Sequence, residues 1–492
     1  MELEEIRKKI DSVDEKLIHQ FCKRMELCAR MAEFKQKSGM PVLDTSRESA
    51  KLEEVRDLAG EYGNYACELY SEIFNISRSL QKSQAGVFGL LGGKLGHSYS
   101  PEIHKLFGGY DYQLFEKTPD ELENFLRKAP FDGINVTIPY KKAVIPYCSE
   151  LSQRAARIGS VNTITKLPDG TLRGDNSDYF GFEYLVRAAG VGIRDKKCLV
   201  LGDGGVAATV KAVLAYMEAG EIVTVSRRGQ DNYDNISRHY DADVIVNTTP
   251  VGMYPNNGQS AVELTGFDKL SGVLDVVYNP SRTKLILDAE ERGIPCSGGL
   301  SMLVAQAKSS CESFTGRRIP DSRIAEVTGM LEAKMKNVAI IGMPGCGKTT
   351  AGKALAELTG RGFVDMDAEI VRRAGCSIPD IFAKFGEQRF REIETEVLAD
   401  TAKHSGLIIA TGGGVVTRPE NYRLLHQNST IVFLDRKDLA SLSQRGRPIS
   451  QIKLPEQIAE ERMHLYTSWC DATVECVSPK ADAKNIAEAL GL

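Results

Sequence analysis

From Leu3 to Cys28, apolar residues return every three or four positions: Leu3, Ile6, Ile10, Val13, Leu17, Phe21, Met25 and Cys28. That period is the signature of an amphipathic helix, and the same texture predicts helix throughout 1–84. The first break is KSGMP at 37–41. The opening helix is therefore expected to exceed about 30 residues, or roughly 50 Å at 1.5 Å per residue. A helix of that length outruns a small domain and predicts packing against a second copy of the chain, a homodimer. From Gly86 the period changes. Short apolar runs (GVFGLLG, FDGINVTIP, KCLVLG, EIVTVS, ADVIVNTT, GVLDVVY) alternate with helical stretches as far as about residue 328. This pattern predicts α/β architecture with parallel strands. After TGMLEAKMKN a new strand, VAIIG, restarts it.

A chain of 492 residues has room for about three domains at roughly 100–200 residues each. The expected division is an all-α helical domain over 1–84, a two-lobed α/β domain over 86–328 and a P-loop α/β domain over 336–492. Within the middle domain, one lobe is 86–188 with about 300–328, and a Rossmann lobe is about 190–299. A formal net charge of −4 gives no sign of a nucleic-acid partner. The charged start, MELEEIRKKIDSVDEK, and the lack of an apolar run of about 18 residues predict a cytoplasmic protein with no membrane partner. The eleven cysteines are scattered with no CxxC pair, which fits reduced thiols rather than disulfides or a zinc site.

Candidate chemistry sits in two glycine loops. GMPGCGKT at 342–349 fits GxxxxGK[ST], with a strand before it and a helix after it. Gly342, Gly345 and Gly347 let backbone N–H groups face phosphates. Lys348 brings a point charge to them, and Thr349, followed by Thr350, can ligate Mg²⁺. Downstream, FVDMDAEI puts Asp365 and Asp367 at a strand end, and Asp365 is a candidate to orient Mg²⁺. Arg391 and Glu394 share a helix, TGGG ends a strand, and QRGRP and ERMHLY add Arg445, Arg447 and Arg462. This segment resembles shikimate kinase over 336–492. The resemblance implies ATP and Mg²⁺ as cofactors, and shikimate held by Asp367, Arg391, Gly412, Gly413, Gly414 and Arg462. It makes Asp367 the base and Arg447 a lid arginine at the transferred phosphoryl group. Two departures stand out: the lid between Arg445 and Arg447 is short, and His464 stands where the family commonly has proline.

The second loop, VLGDGGVAA, follows a strand and opens a helix, with Gly202, Gly204 and Gly205 in the form GxGGxxA. The next strand ends TVSRRG. Arg227 and Arg228 stand where an NAD enzyme usually carries an acidic residue, and two cations suit the 2′-phosphate of NADP. Polar clusters upstream and downstream (LGHSYSPEIHK, GINVTIPYKK, GSVNTI, GDNSDYFG, DVVYNP, GGLSMLVAQA) are poor core and good ligand-binding material. Together they are similar to shikimate dehydrogenase over 86–328. The resemblance implies that Ser98, Ser100, Thr137, Asn162, Asp178, Tyr278 and Gln306 surround the substrate. It also makes Lys141, rather than Lys142, the catalytic partner of Asp178.

On its residues alone, the helical segment is an interaction module. It also resembles the all-helical class of chorismate mutase, through Arg7, Arg24, Lys35, Asp44, Arg47, Glu48, Ser77 and Gln81. Arg24 and Lys35 are 11 residues apart, within about 20° of one helix face; Ser77 and Gln81 are an i,i+4 pair. The resemblance implies arginines on the two carboxylates, Lys35 and Gln81 on the ether oxygen, and Glu48 on the hydroxyl. The expected protein is a trifunctional enzyme of the shikimate and chorismate pathway with small-molecule partners. The alternatives are a bifunctional dehydrogenase–kinase with a non-catalytic helical domain, and a central domain that uses quinate with NAD.

Overall fold

The computed structural model describes residues 3–38, 45–96, 98–438 and 454–492. The opening segment is three helices: α1 (Leu3–Lys37), α2 (Thr45–Ala59) and α3 (Gly63–Ala85). α1 runs 35 residues, the length its periodicity predicts. Both α1 and α2 pack on α3, where Ala32, Val55 and Phe74 are buried. The first half of α1 is different. Leu3, Ile10, Val13 and Leu17 are between 52% and 64% exposed, so an apolar stripe runs along solvent. Monomeric proteins seldom leave such a stripe bare.

Three sheets follow. The first holds β1 (Phe88–Gly92), β2 (Tyr112–Glu116), β3 (Gly133–Val136), β4 (Glu150–Leu151), β5 (Thr163–Lys166) and β6 (Leu172–Asp175), in the order β2-β1-β3-β5-β6-β4. Here the expectation of parallel strands fails in part. β1 is parallel to β2 and β3, but β5 runs antiparallel to both β3 and β6. The reason is local. β5 and β6 are joined by five residues, LPDGT, closed by Leu167 N–H to the Thr171 carbonyl at 2.8 Å and by Asp169 capping Thr171. So short a link can only join antiparallel neighbours.

The second sheet holds β7 (Lys197–Leu201), β8 (Glu221–Val225), β9 (Val244–Asn247), β10 (Gly272–Asp275) and β11 (Cys296–Ser297), all parallel, in the order β11-β10-β9-β7-β8. The third holds β12 (Asn337–Ile341), β13 (Gly362–Asp365), β14 (Leu407–Ala410), β15 (Ser429–Asp435) and β16 (Ala472–Glu475), also all parallel, in the order β13-β14-β12-β15-β16. Their central strands are continuous apolar runs buried on both faces, as covered parallel sheets require. In each, the glycine loop leaves the C-terminal end of a strand where the order reverses, the usual place for a ligand crevice. The chain divides into two compact units, 1–183 with 303–324, and 184–302 with 325–492.

Candidate active sites

The loop after β12 turns through Gly342 (φ 146°) and Gly347 (φ 109°), backbone angles that a side chain would strain. Lys348 opens the helix Lys348–Thr359 and folds back to donate to the carbonyls of Gly342 and Met343, both at 2.9 Å. Thr349 Oγ1 donates to Asp365 Oδ2 at 2.7 Å. Asp365 ends β13 and caps the helix Met366–Ala374, accepting the N–H of Asp367 (3.0 Å) and of Ala368 (3.2 Å). Asp367 therefore lies in the first turn of that helix rather than on the strand end, because the Asp365 side chain starts the helix there.

A cavity of about 360 Å³ opens beside this loop, lined by Gly345, Gly347, Lys348, Asp367, Arg391, Gly412, Gly413, Gly414 and Arg462. Arg391 and Glu394, one turn apart on the helix Ile378–Thr401, form an ion pair at 2.7 Å. Burial pushes the Glu394 carboxyl up, against the pull of Arg391. Glu394 Oε1 and Arg462 Nε are buried in the cavity wall with no hydrogen-bond partner among the described residues. Buried polar atoms normally find one, so the wall keeps donor and acceptor capacity for a ligand.

The glycines after β14 have a packing reason that sequence reasoning missed. A Cβ on Gly413 would stand 2.6 Å from Pro344 of the phosphate loop, and one on Gly414 would strike the Arg391 guanidinium. Arg436, just past β15, also went unnoticed. It donates to the Cys346 carbonyl (3.4 Å) and lies against Gly347; the signal was its place directly after an apolar strand. Arg445 and Arg447 lie outside the described residues. Among the described residues, no cluster of three or more His, Cys, Asp or Glu could cage a metal. The Thr349 hydroxyl beside Asp365 fits Mg²⁺ all the same, since that ion takes one or two protein oxygens and fills its shell with phosphates and water.

In the first unit, Lys141 Nζ donates to Asp178 Oδ2 at 2.6 Å, with both side chains mostly buried. Lys142 is exposed. Asp178 begins the helix Asp178–Ala188, and the residue before it joins a buried polar net. Asn162 Nδ2 donates to Ser177 Oγ at 3.0 Å, Ser177 Oγ donates to Gln306 Oε1 at 3.3 Å, and Ser310 Oγ donates to Ser177 at 2.9 Å. Ser98 accepts the Ser100 N–H at 3.2 Å, and Thr137 follows β3, donating its N–H to Leu91 at 2.9 Å. Ser177 and the buried Asn135, which donates to Ser310 at 2.7 Å, lie inside the clusters GDNSDYFG and GINVTIPYKK but are not singled out by motif reading, and Ser310 lies outside them. His104, inside the cluster LGHSYSPEIHK, is likewise not singled out; it stacks on Tyr112 at 4.1 Å, and burial pushes its imidazolium pKa down to about 3.

In the second unit, Gly202 (φ 100°) lets the loop pass Thr248 and Thr249, where a Cβ would meet side-chain atoms at 2.9 Å. Gly204 caps the helix Gly205–Tyr216, and a Cβ there would meet nothing within 4 Å. Arg227 and Arg228 are exposed just beyond β8, and Tyr278 follows β10. Open space over a helix N-terminus, with two exposed cations after the next strand, fits a dinucleotide phosphate.

The helical segment encloses about 590 Å³ lined by Arg24, Lys35, Arg47, Glu48, Ser77 and Gln81, with Leu27, Met31 and Phe74 as apolar wall. Arg24 donates to Ser77, and Arg78 pairs with Glu48. Gln81 is buried with Oε1 unpartnered among the described residues. Arg78 and Lys51 are further lining cations; Arg78 was findable as the i−3 neighbour of Gln81. Arg7 is exposed and outside this cavity, and Asp44 lies outside the described residues.

Compared with curated proteins, the chain is 37% identical over 257 residues to the NADP(+) shikimate dehydrogenase of Clostridium perfringens strain SM101, covering 48% of this chain and 94% of that protein. The chain belongs to the shikimate dehydrogenase family. A second shikimate dehydrogenase (NADP(+)), from Methanopyrus kandleri, is 36% identical over 273 residues, covering 48% of this chain and 93% of that one. The model of the shikimate dehydrogenase substrate binding domain matches residues 90–164. Two further family models flank it: chorismate mutase type II over residues 6–82 and shikimate kinase over 344–490. A crystal structure of a chorismate mutase/shikimate 5-dehydrogenase fusion protein from Clostridium acetobutylicum is 36% identical, covers 51% of this chain and 98% of that one, and has a TM-score of 0.48. The stretches of this chain on either side of its shikimate dehydrogenase part are thus the ones that match the chorismate mutase type II and shikimate kinase models.

Proposed function

We infer that this chain is a trifunctional enzyme of aromatic biosynthesis. It reduces 3-dehydroshikimate to shikimate with NADPH, phosphorylates shikimate at the 3-position with ATP, and rearranges chorismate to prephenate. The observation that carries the reading is three separate polar clusters, each on its own scaffold: the Lys141–Asp178 pair, the phosphate loop facing Arg391 and Arg462, and the arginine-lined cavity between α1, α2 and α3. We assign them to 86–328, 336–492 and 1–84. Free thiols at all eleven cysteines suit the cytoplasm. Among the described residues no helix is long and apolar enough to cross a membrane.

In the dehydrogenase, bound NADPH would supply the hydride. Lys141 gives a proton to the developing alkoxide, and Asp178 fixes the ammonium in place. Ser98, Ser100, Thr137, Asn162, Tyr278 and Gln306 bind the ring hydroxyls and carboxylate. Arg227 and Arg228 take the 2′-phosphate. Replacing both with Ala is expected to raise the KM for NADPH roughly 10- to 100-fold, the worth of charge-assisted hydrogen bonds, with that for NADH unchanged. Equal losses with both cofactors would remove the 2′-phosphate role. The same assays, run with shikimate and quinate, measure substrate preference.

In the kinase, ATP supplies the phosphoryl group and Mg²⁺ would be held by Thr349 and, through water, Asp365. Arg391 and Arg462 hold the substrate carboxylate, and Asp367 accepts the proton of the attacking hydroxyl. Glu394 keeps the Arg391 fork aimed.

In the mutase there is no proton to transfer. Arg24 and Arg47 clamp the two carboxylates, Glu48 takes the hydroxyl, and Lys35 with Gln81 donates to the breaking ether oxygen. Gln81→Glu should lose about 10²-fold at neutral pH and recover toward acid, since a carboxyl donates only when protonated. A pH profile like that of the wild type would mean that Gln81 does not touch the reacting oxygen.

Arg7 precedes Arg24 by about 25 Å of helix, too far for one ligand. The bare apolar stripe on the same half of α1 supports a pairing of two chains. Two chains pair their long helices, and Arg7 of each enters the other's cavity. Mixing inactive Arg7→Ala and Arg24→Ala chains should restore activity, because about one site in four then carries neither lesion. No recovery in mixtures shown to exchange subunits would exclude a shared site.

A further inference from the structure

The loop Val276–Thr283 carries Tyr278 and is tied at both ends by its own unit's second sheet. The buried carboxylate of Asp275 accepts the Val277 N–H at 2.9 Å and the Thr283 hydroxyl at 2.7 Å. Ser281 and Arg282, just before its end, are held by the flank of the third sheet. The Arg282 N–H donates to the Gln427 carbonyl at 2.9 Å, Ser281 Oγ to the same oxygen at 3.1 Å, and the Ser281 N–H to Asn428 Oδ1 at 3.3 Å. Arg282 also donates through Nη1 to the His426 carbonyl at 3.2 Å. All these acceptors belong to the turn between the helix Pro419–His426 and β15, inside the shikimate kinase part. That helix also places Arg423 on Asp288 and on Glu291, in the helix that follows the loop.

The grip is specific in form. Backbone amides need acceptors, and here the kinase turn supplies them in place of water. Asn428 is itself fully buried and fixed by its own amide, which donates to the His404 carbonyl at 2.9 Å and to Ser405 at 3.1 Å. The acceptors are thus rigid, and the loop that leans on them cannot swing freely.

We propose that the kinase part positions the substrate loop of the dehydrogenase: the 426–428 turn, clamped by Arg423, holds Val276–Thr283 so that Tyr278 is set for substrate. This rests on the assignment of Tyr278 to the dehydrogenase substrate. Arg423 is a positioning residue and does not line the kinase cavity. Binding energy at the dehydrogenase thus depends on a surface of the kinase, since small misplacements of a substrate contact weaken binding.

The test uses the full-length chain with Arg423→Glu, which faces two carboxylates, Arg423→Lys, which keeps the charge, and Tyr278→Phe. Arg423→Glu should raise the KM for 3-dehydroshikimate roughly five- to tenfold, as like-charge contacts at an interface do. The kcat, the KM for NADPH and all kinase constants should stay within about twofold of wild type. Arg423→Lys should restore most of the loss. Amide hydrogen exchange in 276–283 should quicken in the Glu variant alone. Tyr278→Phe should raise the same KM. An unchanged KM in Arg423→Glu beside a raised one in Tyr278→Phe overturns the coupling and leaves the Tyr278 assignment standing. An unchanged KM in Tyr278→Phe overturns that assignment and the coupling with it. Parallel losses in the NADPH and kinase constants would mean that the contact only holds the fold, and would also overturn the proposal.

Discussion

Lys348→Ala is expected to cut shikimate phosphorylation by about 10²- to 10³-fold or more, the cost of one aligned charge in a phosphoryl site. The side chain is buried under its own loop, with Nζ 2.9 Å from two loop carbonyls. It therefore sits inside the phosphate cradle rather than on the surface, and among the described residues no other lysine lines the cavity. Shikimate should still bind, because Arg391, Asp367 and Arg462 are held by other elements. Dehydrogenase and mutase rates should stay at wild-type values. Coupled assays of the three reactions on one preparation check this, and loss of all three in a folded protein would contradict separate sites.

Lys141→Ala is expected to lower dehydrogenase kcat by about 10³-fold, in the range for losing a placed proton donor. Of the two lysines, it is Lys141 that makes the 2.6 Å contact to Asp178. Lys142 is exposed. Cofactor binding should be retained, because the glycine loop and the two arginines lie in the other unit. Lys142→Ala should be close to wild type. A chain in which Lys142→Ala is the damaging change would reverse the assignment.

Much of this was legible in the sequence because phosphate loops are local. Gly342, Gly347, Lys348 and Thr349 work through backbone angles and side chains that neighbours in sequence determine. Long helices are equally readable, since each turn of α1 repeats the same pattern. What sequence reading missed depends on distant partners. β5 (TITK) reads as part of the polar cluster GSVNTI, and only the PDG turn after it betrays the reversal. Gly413 and Gly414 look like room for a ligand, yet their immediate reason is Pro344 and Arg391 from elsewhere in the chain. Ser177 and Ser310 are 133 residues apart and meet only in the folded lobe. Arg423, Gln427 and Asn428 look like solvated surface because their partners on the dehydrogenase side lie far upstream.

The central claim is that one polypeptide performs consecutive and separable chemistry. The most direct measurement follows 3-dehydroshikimate, NADPH, ATP and Mg²⁺ by mass spectrometry with the purified chain as the sole enzyme. The account predicts shikimate 3-phosphate from the wild type, shikimate alone from Lys348→Ala, and unchanged 3-dehydroshikimate from Lys141→Ala. Shikimate accumulating unphosphorylated with the wild-type chain, or shikimate 3-phosphate forming with the Lys348→Ala chain, would contradict it.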